Sequence, residues 1–295
     1  MHPISMRVRQ NITPFANSLP HTGSVLGVDI GWSSTRPSSA ACRFDWNEKK
    51  VSWSIERFRA LEAERSDVLR RVANQPLLAA AFDGPLRSDL EVIGRYRIAE
   101  QLLTRGLRPL IGKPGQASTP VGRLLNSHAN ACAKAVLDMS VVGNALHTQA
   151  IHVSAIVEAF PSSFLGVLIR DPLALGVRRR TRSDSFYLHL AKSGGLLSLL
   201  KYLLPGRSPE KSFETVMDHD ERASVACALT ALCVAAGDYA AVGNEDGWII
   251  LPPPALIQTW AWKILTENAR AGGLEWRGSS PADLTEAPAT IRLPQ

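Results

Sequence analysis

Two apolar runs of strand length each close on an aspartate: Val25 leads into Gly27-Val28-Asp29-Ile30-Gly31, and Leu77 leads through Phe82 into Asp83-Gly84-Pro85. Runs this short and this uniformly apolar predict strands covered on both faces, at the centre of an α/β sheet. A carboxylate standing where such a strand leaves the sheet is held by rigid backbone yet reaches solvent. That is the arrangement a metal-dependent phosphoryl-transfer site needs.

The surrounding pattern extends the sheet. Ala40 to Trp46 predicts a second strand, and in Val51 to Phe58 the residues Val51, Trp53 and Ile55 alternate with Ser52, Ser54 and Glu56. Three consecutive strands predict an antiparallel meander. Leu61, Val68, Leu69 and Val72 fall at helical spacing, as do Val92, Tyr96, Ala99 and Leu103, with Gly106 able to end the second helix. This reading sets Asp83 at a strand-to-helix junction. Residues 109–120 predict a loop that carries Lys113 in Ile111-Gly112-Lys113-Pro114-Gly115, followed by a helix over 121–137. Residues 151–160 predict a strand with Glu158 near its end. Helices are expected over 184–204, 221–236 and 255–269, and a short strand over 248–251. Residues 1–23 read as an N-terminal arm and 24–270 as one domain with a basic insertion at about 162–215. Residues 271–295 read as a flexible tail with little to pack.

Composition bounds the function. With 45% apolar and 20% charged residues among 295, the chain reads as an ordinary soluble globular protein. It has neither an apolar stretch of the length a transmembrane helix needs nor an apolar block behind Arg7 and Arg9, so a cytoplasmic protein without a membrane partner is expected. Cys42, Cys132, Cys227 and Cys233 are too dispersed for a zinc site and read as free buried thiols. A formal charge of +6 favours a polyanionic partner, DNA or RNA, because phosphate contacts by lysine and arginine release counterions.

The order of elements, three strands, helix, strand, helix, strand, then helices, is that of the RNase H-like fold. The expected architecture is a mixed five-stranded sheet flanked by helices, with a helical insertion and extra C-terminal elements. In that fold the ends of the first and fourth strands are neighbours, which would bring Asp29 and Asp83 together. Two close carboxylates repel unless protons or cations such as Mg²⁺ or Mn²⁺ intervene.

Gly27-Val28-Asp29-Ile30-Gly31-Trp32, Phe82-Asp83-Gly84-Pro85, Val157-Glu158-Ala159-Phe160-Pro161, Cys227-Ala228-Leu229-Thr230-Ala231, Val242-Gly243 and Gly247-Trp248-Ile249-Ile250-Leu251-Pro252 occur in that order. Together they resemble domain-of-unknown-function family 429, described as a predicted nuclease similar to RNase H-like proteins. The resemblance spans about 25–253. It implies catalytic carboxylates at Asp29, Asp83, Glu158 and the start of the late apolar helix, where Asp220 is the first choice and Glu221 the second. It implies metal ligation by Asp29, Asp83 and Asp220, and phosphodiester hydrolysis with two Mg²⁺ or Mn²⁺ ions. The chain departs from the family's Asp-Ala pair in that helix, having Ala223-Ser224.

Each of these residues also has a plainer reading. Asp218 or Asp220 suits a helix cap, Glu158 suits pairing with an arginine, and Asp83 before Gly84-Pro85 suits a turn. His219 fits either a proton shuttle or a local hydrogen bond. Arg178, Arg179, Arg180 and Arg182, with Lys113, fit nucleic-acid contacts or a solvated surface. Two other functions compete. One is a non-catalytic nucleic-acid-binding module of the same fold. The other is an actin-like phosphotransferase, since residues 27–35 resemble the phosphate-binding hairpin of those enzymes.

Overall fold

The computed structural model describes residues 19–144, 151–176, 181–272 and 277–278. The meander is present as β1 (Gly23–Asp29), β2 (Ser39–Trp46) and β3 (Lys50–Phe58), paired antiparallel in sequence. After helix α1 (Glu62–Val72), β4 (Ala79–Asp83) returns parallel to β1, and β5 (Ile156–Ala159) lies parallel to β4. Between them stand α2 (Ile98–Leu102), α3 (Arg108–Ile111) and α4 (Pro120–Asp138), the last capped by the Thr119 hydroxyl on the Gly122 amide.

Beyond β5 the chain forms α5 (Pro161–Gly166), α6 (Arg182–Lys192), α7 (Gly195–Leu203), the two-residue β6 (Ser208–Pro209) and α8 (His219–Ala236). A hairpin of β7 (Ala240–Asn244) and β8 (Gly247–Leu251) then adds to the sheet through β8 beside β5. Helix α9 (Thr259–Ala271) and β9 (Arg277–Gly278) follow. The result is a mixed sheet in the order β6-β3-β2-β1-β4-β5-β8-β7-β9, flanked by helices. Among the described residues no helix is long and apolar enough to cross a membrane.

Strand alternation divides the core in two. One face carries Val25 and Gly27 on β1, Ala79 and Ala81 on β4, and Val157 on β5, packed against α8 and against apolar residues of α5, α6 and α7 such as Phe164, Phe186 and Leu199. The other carries Leu26, Val28, Ala80, Phe82 and Ile156, covered by Val68, Leu69 and Val72 of α1 and Ala129, Cys132 and Ala133 of α4. The segment expected as a basic insertion thus supplies part of the main core. All four cysteines are free and buried, as anticipated.

Several expectations change. The sheet has nine strands rather than five, two of them only two residues long, and the loop expected over 109–120 begins within α3. The helix expected over 92–103 is only α2; the chain from Gly84 to Arg97 is a loop, Val92 is 57% exposed, and Leu90 takes a positive φ of 55°. Asp83 therefore opens into a loop rather than a helix. The physical reason is that Arg97 turns inward to carboxylates, so ion pairing rather than an apolar stripe fixes this segment. The helix expected over 184–204 is two, separated at Ser193-Gly194. The strand over 151–160 contracts to β5, and β7 is an added strand that supplies a partner for β8. The segment expected as a tail supplies β9, paired with β7.

Helix α8 crosses β1 at a point where β1 has no side chain. A Cβ on Gly27 would run into the backbone nitrogen of Ala228 and the carbonyl oxygen of Ser224. Glycine is required there because the obstacle is helix backbone, which cannot move aside as a side chain can. Gly27→Ala should lower unfolding free energy by about 3 kcal/mol, the upper end of ordinary overpacking costs. Chemical denaturation checks this, and a loss under about 0.5 kcal/mol, typical of a neutral surface change, would contradict the close crossing.

Candidate active site

The register of β1 and β4 pairs Asp29 with Asp83. Because paired residues on neighbouring strands project to the same face, one row runs across the sheet from Arg57 through Ala40, Asp29 and Asp83 to Ala159. Asp29 is 8% exposed, and its carboxyl group stands beside that of half-buried Asp83. Burial, followed by the charges of Asp83 and Asp220, pushes Asp29 well above the usual carboxylate range. Burial, followed by the charge of Glu158, pushes Asp83 up to about 7. Neither aspartate forms a salt bridge with a described residue, although the charge of His219 pulls the Asp83 pKa down against these effects; a shared proton would relieve the repulsion between the two oxygens.

The N-terminus of α8 stands over this row. Asp218 caps the helix by accepting from the Asp220 amide at 2.9 Å. Asp220 reaches Arg57 Nη2 at 2.6 Å, and Asp218 reaches Arg57 Nη1 at 3.0 Å. His219 Nδ1 lies 3.1 Å from Asp184 Oδ2, and Arg222 holds the other Asp184 oxygen at 3.3 Å. The bond to Asp184 raises the His219 pKa, opposed by partial burial. Glu221 does not line the cavity that Asp220 lines, which separates the two candidates for the last carboxylate.

Glu158 has a different setting. It is paired in register with Phe82, so alternation turns it away from the Asp83 row. Arg97, fully buried, donates to both of its oxygens at 2.7 and 2.8 Å and to Glu100 at 3.0 Å, while the Leu86 amide donates to Glu158 at 2.8 Å. Arg97 also bonds the Leu86 carbonyl. Burial raises the Glu158 pKa against the opposing pull of Arg97. Glu158 thus ties down the loop after Asp83, and the pairing with an arginine read from the sequence is present.

Asp29, Asp83, His219 and Asp220 line a cavity of about 390 Å³ together with Trp32, Arg36 and Phe160, and part of Glu158 reaches it. A second cavity of about 670 Å³ adjoins it, sharing Pro114, Gly115, Phe160 and His219 as walls. Lys113 and Arg182 line the second cavity, and Arg182 Nη1 donates to the Arg108 carbonyl at 2.9 Å. Arg178, Arg179 and Arg180 lie outside the described residues. In the turn after β1 the amides of Ser33, Thr35 and Arg36 are bonded to serine hydroxyls, and Gly31 donates to Ser39 Oγ.

Sequence reading did not single out Arg57, Arg97 or Asp184. Arg57 left a signal, since it continues the alternation Val51, Trp53, Ile55 and so places a charge on a covered face. Arg97 and Asp184 left none, because their partners are distant in sequence.

Among the described residues no group of three or more His, Cys, Asp and Glu side chains is assembled to hold a metal ion. The five expected carboxylates are divided among three settings: the Asp29–Asp83 pair, Asp220 with Arg57, and Glu158 with Arg97, with Glu221 outside the cavity. Asp29 and Asp83 nonetheless suit a single Mg²⁺ or Mn²⁺, which commonly binds one or two carboxylates and completes its shell with water and substrate phosphate.

The raised pKa values give a stability prediction. Asp83 titrates near 3.8 as a free group and at about 7 in the folded protein, so the fold binds the extra proton. Its contribution is present below about pH 4 and lost as pH rises to about 7, with a slope of at most about 1.4 kcal/mol per pH unit. In chelator, the melting temperature of the wild type should fall across this window and that of Asp83→Asn should fall less; parallel curves would refute the assignment. Comparison of this chain with protein-family models, curated proteins and solved structures finds no match.

Proposed function

We propose that this protein is a divalent-cation-dependent nuclease of the RNase H-like kind, hydrolysing phosphodiester bonds at Asp29 and Asp83. The observation that carries the reading is the side-by-side carboxylate pair, Asp29 buried and Asp83 half-buried, with no salt bridge to a described residue and open to a cavity. The strand order β3-β2-β1-β4-β5, with α8 crossing the first strand, supports the fold assignment. The motif blocks resembling family 429 point the same way.

Asp29 and Asp83 would hold the cation, and Asp220 borders the same cavity. When bound, the cation supplies Lewis-acid stabilisation of the phosphate oxygens and a more acidic water. The protein's own groups do the rest. Hydrolysis forms a P–O bond to water, which gives up a proton to solvent, and breaks the P–O bond to the departing oxygen, which requires a proton. His219, whose pKa the hydrogen bond to Asp184 raises and which lines the cavity, would donate it. Arg57 pairs with both Asp218 and Asp220 and so offsets part of the negative charge that the start of α8 brings to the Asp pair. Arg97 positions the loop after Asp83 through Glu158.

The phosphotransferase reading has less support. The serine hydroxyls already occupy the amides that would cradle a phosphate after β1, and Gly31 is accounted for by the close passage of Ser38.

Labelled single-stranded, double-stranded and branched DNA and RNA, incubated with Mg²⁺ and then Mn²⁺, test the proposal. Cleavage should fall at least about 100-fold in Asp29→Asn and Asp83→Asn, as when a transition-state charge contact is lost. His219→Ala should cost about 100-fold, in the range of a general acid. Absence of cleavage on every substrate would replace the nuclease with a binding module.

A further inference from the structure

The two adjoining cavities differ in chemistry. The first holds the carboxylate pair and Trp32, whose side chain is 49% exposed in spite of its apolar ring. The second has Arg108, Lys113 and Arg182 in its walls, with hydroxyl groups from Thr119, Ser162 and Ser183, and no acidic side chain. Among the described residues neither Arg108 nor Lys113 has a carboxylate partner, so their charge faces open space rather than a salt bridge. An acid-free basic cavity that shares its walls with an acidic one suits a ligand with regularly spaced phosphates. One phosphate can lie at the Asp pair with its cation, and the next between the basic side chains.

Trp32 narrows the class further. An exposed indole beside a phosphate site stacks on a base, and base–aromatic stacking tolerates any base because each has a π face. A base inside a duplex has both faces covered by neighbouring pairs, so only an unpaired base can use the ring. Burial of Asp29 adds a steric reason. Only 8% exposed, it lines the wall of a cavity that a flexible strand enters more readily than the backbone of a rigid duplex.

We propose that the joined cavities bind an unpaired nucleic-acid strand, with a base on Trp32 and the phosphate next to the reacting one between Lys113 and Arg108. This rests on the reading of Asp29 and Asp83 as a phosphodiester site.

The test is fluorescence anisotropy of the full chain with a labelled single-stranded oligonucleotide and a duplex of the same length, in chelator so that no cleavage intervenes. The single strand should bind at least tenfold more tightly. Trp32→Ala should weaken it about tenfold, within the range of one lost stack. Lys113→Glu and Arg108→Glu should each weaken binding and reduce the salt slope by about 0.7, one phosphate contact on a single strand. Circular dichroism and melting temperature show that each variant is folded, as expected for substitutions at exposed or half-buried positions in a loop or, for Arg108, at a helix end. Equal binding of the duplex, or wild-type affinity and salt slope in Trp32→Ala and Lys113→Glu, would overturn the proposal. Strand-selective binding lost in these variants, with no cleavage by the wild type in Mg²⁺ or Mn²⁺, would uphold the track and remove the hydrolase. Cleavage that depends on Asp29, with binding indifferent to Trp32 and Lys113, would do the reverse.

Discussion

The parallel pairing of β1 with β4 is the interaction on which the rest depends. Its register fixes Asp29 opposite Asp83 and, through the antiparallel pairing with β2 and β3, sets Arg57 in the same row with Ala40 between. A slip of β1 by one residue would turn Asp29 to the opposite face, among Phe82 and the apolar faces of α1 and α4, and separate it from Asp83. That face is apolar, so the core itself enforces the register. The energy that buries Leu26, Val28, Ala80 and Phe82 on one side therefore also holds two repelling carboxylates together on the other.

Helix α8 completes the arrangement. Gly27 lets its backbone lie against β1, and the helix N-terminus then arrives over the end of that strand with Asp218, His219 and Asp220. The acidic start of the helix is favoured by its own dipole and by the Asp218 cap, so it would form without reference to the site. Arg57 makes this placement tolerable beside Asp29 and Asp83. Asp220 thus both pairs with Arg57 and borders the cavity.

The buried group of Arg97, Glu100 and Glu158 shows how a loop can be fixed without regular structure. Arg97 binds both carboxylates and the Leu86 carbonyl, and Glu158 takes the Leu86 amide, so backbone groups left unpaired between β4 and α2 are satisfied by charge. Removing one member of such a group strands a buried charge, which costs about 3–5 kcal/mol. The periodicity of Val92, Tyr96, Ala99 and Leu103 suggested a helix because sequence spacing contains no information about an arginine that finds its partner 61 residues away.

Strands β1 to β4, helices α1, α4 and α8, and the positions of Asp29 and Asp83 at strand ends were determined by the sequence alone. Each depends on local alternation, apolar run length and capping, which are properties of neighbouring residues. Tertiary structure decided which carboxylates share a site. Glu158 was drawn to Arg97, Asp220 to Arg57 across 163 residues, and His219 to Asp184. These outcomes follow from strand register and ion pairing between distant segments, where the cost of burying a charge selects its partner and no local pattern records the choice.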